Sequence, residues 1–214
     1  MLELGLKILV AYLLGALVGS LVLGRLRGVD IRAMGSGNAG ATNAFRTQGK
    51  AFGLAVFVID VAKGVLAVTW LPIVPLPAPW HDPTLSPTWI DLGCGLAVVV
   101  GHVFPVWFDF RGGKGAATMI GVLAGLAPRL LAPTVIAWCL VVALSGFVGL
   151  ATMLAGAAAT VAAAFLGAGD WRLPGFCATL TVFLVYTHRA NIARMRVGTE
   201  HRARRLWLLR PRST

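Results

Sequence analysis

Acidic side chains are scarce in this chain: 8 Asp and Glu stand against 19 Lys and Arg in 214 residues, and only 13% of positions are charged. Soluble globular domains carry about 25% charged residues, so a water-covered globule is excluded. Cysteine is equally sparse. Cys94, Cys139 and Cys177 lie in separate apolar stretches without CxxC or metal-ligand spacing, which excludes a disulfide framework and a cysteine metal site and leaves small buried apolar residues. There is no internal repeat at solenoid periods. Nor is there a GxxxxGK[ST] loop behind a predicted strand, so a nucleotide triphosphatase is not supported. What the chain has instead is apolar surface: 57% hydrophobic residues and a mean hydropathy of +0.81, the composition of a protein integral to a membrane.

Seven apolar spans can be marked, at about residues 4–23, 52–71, 90–108, 115–127, 130–147, 149–167 and 175–188. The expected fold is all-α: one domain over residues 1–214, an integral membrane bundle of seven transmembrane helices. The fourth span is short, since its 13 residues rise only ~20 Å against a hydrocarbon core of ~30 Å, and it is tilted, extended past Pro128 or re-entrant. Basic residues orient the bundle. With odd-numbered spans running inward, fifteen of the nineteen Lys and Arg fall on inner segments, and only Arg129 and Arg172 on outer ones. The positive-inside rule then puts the N-terminus outside and the C-terminus in the cytoplasm. The net charge of +11 is spread over these inner ends, with no separate basic domain, so its partners are anionic lipid headgroups and not nucleic acid. The positive charges of the first span follow its apolar run, unlike those of a signal peptide, so it is expected to be retained. Six prolines between Pro72 and Thr88 make that stretch an outer loop, with His81 and Asp82 solvated. Gly15 with Gly19, and Gly121 with Gly125, have the spacing of close helix packing.

Three polar stretches interrupt this pattern, each at the inner end of a span. In Gly35-Ser36-Gly37-Asn38-Ala39-Gly40-Ala41-Thr42-Asn43-Ala44-Phe45-Arg46, glycines allow backbone N–H groups to converge, and Ser36, Asn38, Thr42 and Asn43 add short hydrogen-bonding groups. Arg46 supplies a planar fork suited to phosphate. A flexible turn is the alternative, but a turn needs neither the amides nor the arginine. The second stretch, Phe110-Arg111-Gly112-Gly113-Lys114-Gly115, is a glycine-rich turn with a lysine at a predicted helix start, where free N–H groups and the helix dipole favour an anion. His102, just before it, is either a structural hydrogen-bonding residue or part of the site. In the third, His188, Asn191 and Arg194 follow at intervals of three and share a face if the last span stays helical. Glu200 pairs with nearby arginines and His201 is solvated. Asp60 and Lys63, three apart within the second span, are placed to offset each other's burial and support the pocket.

Taken together, Ser36 to Asn43 with Arg46, Gly101-His102 followed by Phe110 to Gly115 with Ala117-Thr118, and His188-Arg189-Ala190-Asn191 with Arg194 and Gly198-Thr199-Glu200 resemble the three signatures of the bacterial acyl-phosphate:glycerol-3-phosphate acyltransferases, the PlsY family. The resemblance covers almost the whole chain. It implies transfer of a fatty acyl group from acyl phosphate to the 1-hydroxyl of sn-glycerol 3-phosphate, giving 1-acylglycerol 3-phosphate and phosphate, the first step of phospholipid synthesis. No metal or organic cofactor is implied. The partners are acyl phosphate, glycerol 3-phosphate and membrane lipids, and the location is the bacterial cell membrane, the inner one in a Gram-negative cell, with multiple passes.

By the same resemblance His188, Asn191, Ser36, Arg46 and Lys114 form the catalytic set, and Gly37, Asn38, Thr42, Asn43, Gly112, Gly113, Gly115, Thr152 and Arg194 bind substrate. Asp60, Lys63, His102 and Glu200 are supports. One departure stands out: the family has a Ser-Leu-x-Ser pattern where this chain reads Gly149-Leu150-Ala151-Thr152, so Thr152 supplies a hydroxyl and the first serine has no counterpart. Phosphate is a good leaving group, so positioning and charge stabilisation can carry catalysis. The favoured route passes the hydroxyl proton to the acyl phosphate itself, with His188 as an orienting donor, and His188 as general base is the alternative. A small transporter or flippase for a phosphorylated substrate is the rival class, with its polar groups near the midplane and not at one face. Ser36, Arg46, Lys114, His188 and Asn191 are expected around one cytoplasm-facing pocket.

Overall fold

The computed structural model describes residues 2–166 and 169–209, and every regular element among them is helical. The chain forms two compact units, Met1–Ala127 and Pro128–Thr214. The first unit contains α1 (Leu2–Gly15), α2 (Gly19–Leu26), α3 (Ala41–Gln48), α4 (Lys50–Thr69), α5 (Pro87–Val103) and α6 (Ala116–Leu126). The second contains α7 (Leu131–Ser145), α8 (Val148–Leu166), α9 (Arg172–Thr187) and α10 (Arg189–Arg196).

Among the described residues four helical stretches are long and apolar enough to cross a membrane: Lys50–Ile73, Pro87–Phe108, Pro128–Ser145 and Val148–Leu166. A fifth arises if α1 and α2 are one broken span, and α6 and α9 are shorter apolar helices of 11 and 16 residues. Apolar contact with lipid tails gives no net drive for helices to associate, so close backbone approach and internal polar bonds must hold such a bundle. The glycines supply the first. In the first unit α1 lies along α5, where Gly15 faces the Val98 backbone, and α4 lies along α6, where Gly121 faces the Val61 carbonyl.

The first apolar run differs from its expected form. Residues 4–23 read as one span, but the helix breaks at residues 16–18 and turns by 48° into α2. No proline causes this. The break exposes carbonyls at the end of α1 and an amide at the start of α2, and both find partners on α4. Lys63 Nζ donates to Gly15 O at 2.8 Å and Leu17 O at 3.2 Å, and Asp60 Oδ1 accepts from Gly19 N at 3.2 Å. The Asp60–Lys63 ion pair of 3.0 Å therefore replaces the hydrogen bonds that a continuous helix would have made.

The proline-rich segment after α4 is also tied down. Glu3 Oε2 accepts from Asp82 N at 2.8 Å and lies 3.1 Å from His81 Nδ1, while Lys7 Nζ pairs with Glu3 at 2.8 Å and donates to Pro72 O at 2.6 Å. Glu3 and Lys7 are buried, so His81 and Asp82 are anchor points and not merely solvated groups.

Candidate active site

In the first unit the polar stretch after α2 is half loop and half helix. Gly40 leads into α3, so Thr42, Asn43 and Arg46 sit on a helix, and Ser36 to Asn38 on the loop before it. Asn43 shapes that loop. Its Nδ2 donates to Ile31 O at 3.1 Å and Met34 O at 3.0 Å, and its Oδ1 accepts from Ser36 N at 3.0 Å. It is buried, and its amide is occupied by the loop backbone. Ser20 Oγ donates to Ala39 O at 2.5 Å, fixing the other side, while Ala39 packs with Val18, Leu21 and Phe108. Ser36, Gly37, Thr42 and Arg46 remain exposed on this scaffold. Asn38 is half-buried.

The second polar stretch lies at the end of α5. Gly112 N donates to Val103 O and Gly113 N to His102 O, both at 3.1 Å. These two amides thus face α5, and a side chain at residue 113 would collide with the His102 ring. The donors open to an anion are those of the first turn of α6, whose N-cap is Gly115, where Ala116, Ala117 and Thr118 have no intrahelical acceptor. Lys114 is half-buried beside them.

Two arginines tie the loops together. Arg32 Nη1 donates to Phe108 O at 3.0 Å and Arg111 O at 3.3 Å, while its Nε and Nη2 bond Asp30. That guanidinium holds the Asp30 carboxyl below its ordinary range. Arg25 donates to Trp107 O at 3.3 Å and stacks over Phe108, 4.3 Å from its ring centre. Both residues read in the sequence only as inner-face charges. Their acceptors are carbonyls, which leave no residue-type signature, so spacing could not reveal the role.

In the second unit His188 ends α9, and helical bonding continues through it, with His188 N to Leu184 O at 3.0 Å and Ile192 N to His188 O at 3.0 Å. His188 and Asn191 are both buried. His188 Nδ1 lies 2.8 Å from Leu184 O. A carbonyl only accepts, so Nδ1 carries the hydrogen, and in the neutral ring Nε2 is an acceptor.

Asn191 is set by Glu200. Glu200 Oε1 accepts from Asn191 Nδ2 and Oε2 from Arg194 Nε, each at 2.6 Å. The chain brings Glu200 back because α10 ends in a Schellman turn: Gly198 takes φ +73°, its N–H reaches Met195 O at 3.2 Å, and Thr199 N reaches Arg194 O at 2.9 Å. Thr152 is buried, its hydroxyl donating to Val148 O at 2.9 Å and lying 3.3 Å from Trp138 Nε1. Gly149 lies against Asn191; a Cβ there would stand 3.1 Å from the Asn191 amide. Beyond Glu200 the tail straps back along α7, with Ala203 N to Gly146 O at 2.8 Å and Leu208 N to Ala143 O at 2.9 Å. Arg202 is held between the rings of Phe147 and Trp207.

Comparison with known proteins covers most of the chain. A family model described as glycerol-3-phosphate acyltransferase matches residues 5–198. A glycerol-3-phosphate acyltransferase of Chlorobaculum tepidum is 39% identical over 91% of this chain and 94% of its own, and one of Bacillus velezensis is 42% identical over 91% and 95%. Among solved structures, PlsY (YgiH), an integral membrane glycerol 3-phosphate acyltransferase, superposes in its glycerol 3-phosphate form with a TM-score of 0.80 at 32% identity, covering 93% of this chain and 94% of that one. Its lysophosphatidic acid form gives 0.78 at 30% identity, over 95% and 97%.

Proposed function

Because the chain belongs to the glycerol-3-phosphate acyltransferase family, we propose that its acyl donor is a fatty acyl phosphate and that residues 1–214 act as one domain. The 1-hydroxyl oxygen of glycerol 3-phosphate bonds to the acyl carbonyl carbon, the bond from that carbon to the phosphate oxygen breaks, and 1-acylglycerol 3-phosphate and inorganic phosphate leave. The hydroxyl proton ends on the released phosphate.

The observation that carries this proposal is a division of labour among the polar residues. Those that build the loops, Asn43, Asp60, Lys63 and His102, are buried and bonded, whereas Ser36 on the first loop and Thr42 and Arg46 on α3 stay exposed. Arg46 and Lys114 hold phosphate oxygens, the first as a fork and the second as a point charge beside the start of α6. Ser36, Gly37, Asn38 and Thr42 line the approach, and Gly112, Gly113 and Gly115 keep the second loop thin. His188 Nε2, as an acceptor, takes the hydroxyl proton during attack and passes it to the departing phosphate. Asn191, oriented by Glu200 and Arg194, supplies a donor to the reacting oxygens. Gly149 supports Asn191 from α8.

The apolar chain is taken to cross the membrane seven times, with α6 and α9 as the short crossings and α1–α2 as one broken crossing. The N-terminus is outside and the C-terminus in the cytoplasm, so glycerol 3-phosphate arrives from the cytoplasm and the acyl chain from the bilayer. The membrane is that of a bacterial cell, the inner one in a Gram-negative organism.

The test is donor choice. Purified protein in nanodiscs is expected to release phosphate and form 1-acylglycerol 3-phosphate from palmitoyl phosphate and glycerol 3-phosphate, and to be inactive with palmitoyl-coenzyme A. Turnover with the thioester alone would overturn the donor assignment.

A further inference from the structure

Asp60, Lys63 and His102 do more than close the helix break. Lys63 Nζ lies 2.9 Å from His102 Nδ1, in addition to its bonds to Gly15 O, Leu17 O and Asp60 Oδ1. All three side chains are buried, with exposures of 0% for Asp60, 3% for Lys63 and 2% for His102. Lys63 has three N–H groups for these four neighbours, and Asp60 Oδ1 also faces His102 Nδ1, so the pair holds that ring nitrogen in place in either tautomer. The ring is thereby held in one orientation. Asp60 Oδ1, 3.4 Å from the same nitrogen, balances the Lys63 charge.

The locked ring edge is aimed at the second polar loop. A Cβ at Gly113 would collide with His102 Nε2 and stand 2.9 Å from Cε1, and a Cβ at Gly112 would collide with the His102 carbonyl oxygen. That carbonyl also accepts from Gly113 N at 3.1 Å. His102 therefore grips Gly113 from two sides, by ring edge and by main chain, one residue before Lys114 and two before the N-cap of α6.

Resting on the acyltransferase reading of this loop, we propose that His102 is a positioning residue for phosphate recognition. Asp60 and Lys63 lock its ring, the ring holds Gly113, and Gly113 sets where Lys114 and the first turn of α6 meet the phosphate group carried by one of the two substrates. The same pair caps the break between α1 and α2, so one buried cluster sets both the helix break and the glycine loop. A displacement of about 1 Å at such a point can cost about a hundredfold in rate.

The experiment is a double-mutant cycle on full-length protein in nanodiscs, with KM measured separately for glycerol 3-phosphate and for palmitoyl phosphate. His102→Asn keeps an acceptor toward Lys63 and removes the ring edge. It should raise the KM of one substrate about tenfold or more, and the substrate affected names the phosphate that the loop holds. Gly113→Ala should reduce activity strongly, because its methyl meets the ring. With the ring gone the methyl has room, so the double variant should be no worse than Gly113→Ala alone. Multiplicative losses, or a lower kcat and melting temperature with both KM values unchanged, would overturn the proposal. The cycle is run in parallel with His102→Gln, so that a variant failing to fold leaves the other to decide. Wild-type protein inactive on these two substrates would sink the acyl-phosphate reading, whereas active wild type with an additive cycle would sink only the positioning role.

Discussion

Replacing Asn43 by Asp separates the shaping of the first loop from the binding of its ligand. The change keeps the size of the side chain and the acceptor for Ser36 N, but removes the two hydrogens given to Ile31 O and Met34 O. The buried Ile31 carbonyl and the part-buried Met34 carbonyl then face a carboxylate. An unsatisfied buried group costs about 1–3 kcal/mol, so about that much local stability should go through Ile31 O, before any protonation of the new acid reduces it. The loop carrying Ser36 should loosen, with a lower melting temperature and a lower kcat/KM for glycerol 3-phosphate together. Arg46→Ala is the control. Arg46 is exposed, so its loss should leave the melting temperature in place while weakening phosphate binding by about 10- to 150-fold, the worth of a charged hydrogen bond of about 1.5–3 kcal/mol. Differential scanning fluorimetry and steady-state kinetics on the same preparations decide the matter. Asn43→Asp protein with unchanged melting and a pure KM defect would refute the shaping role and make Asn43 a substrate contact.

Glu200→Gln keeps the size of the bridge between Asn191 and Arg194 but gives up its charge; turnover should fall about tenfold or more, through a charge-assisted bond worth about 1.5–3 kcal/mol, with KM nearly unchanged. Equal loss in KM would place Glu200 at substrate instead. Lys63→Met leaves Asp60 buried without its partner and the Gly15 and Leu17 carbonyls unbonded, a loss of about 3–5 kcal/mol, so folded protein should be hard to recover, as size-exclusion chromatography in detergent would show. For Asp30, whose folded pKa lies below its ordinary value, the pair with Arg32 is fully present above the unfolded pKa and is lost as pH falls through the folded one. Asp30→Asn should therefore flatten the acid side of the melting-temperature profile, by a small amount because the pair is part-exposed.

Much of the helix pattern was legible because apolar run length is a strong signal. The run at 52–71 corresponds to Lys50–Thr69, and the short run at 115–127 to Ala116–Leu126. The break at 16–18 was not, since Gly15-Ala16-Leu17-Val18-Gly19 carries no local breaker and its cause, Asp60 with Lys63, lies more than 40 residues away. Helix α3 was hidden in a different way: glycines on both sides make residues 35–49 read as loop, although Ala41 to Gln48 have no breaker among them. At the candidate site, residue types pointed to Ser36, Arg46, Lys114, His188 and Asn191. What the types could not give was orientation. That the Gly112 and Gly113 amides face α5, and that the His188 hydrogen sits on Nδ1, depend on carbonyl positions. Family membership decides for an acyltransferase over a transporter, a choice that polar clusters at helix ends could only favour.

Which bond forms is the centre of the account, and an oxygen label follows it directly. Glycerol 3-phosphate carrying oxygen-18 in its 1-hydroxyl, incubated with palmitoyl phosphate and the protein, should give 1-acylglycerol 3-phosphate with the label in its ester and phosphate with none, as read by mass spectrometry. Label in a glycerol bisphosphate, with free palmitate released, would mean attack at phosphorus and would contradict acyl transfer.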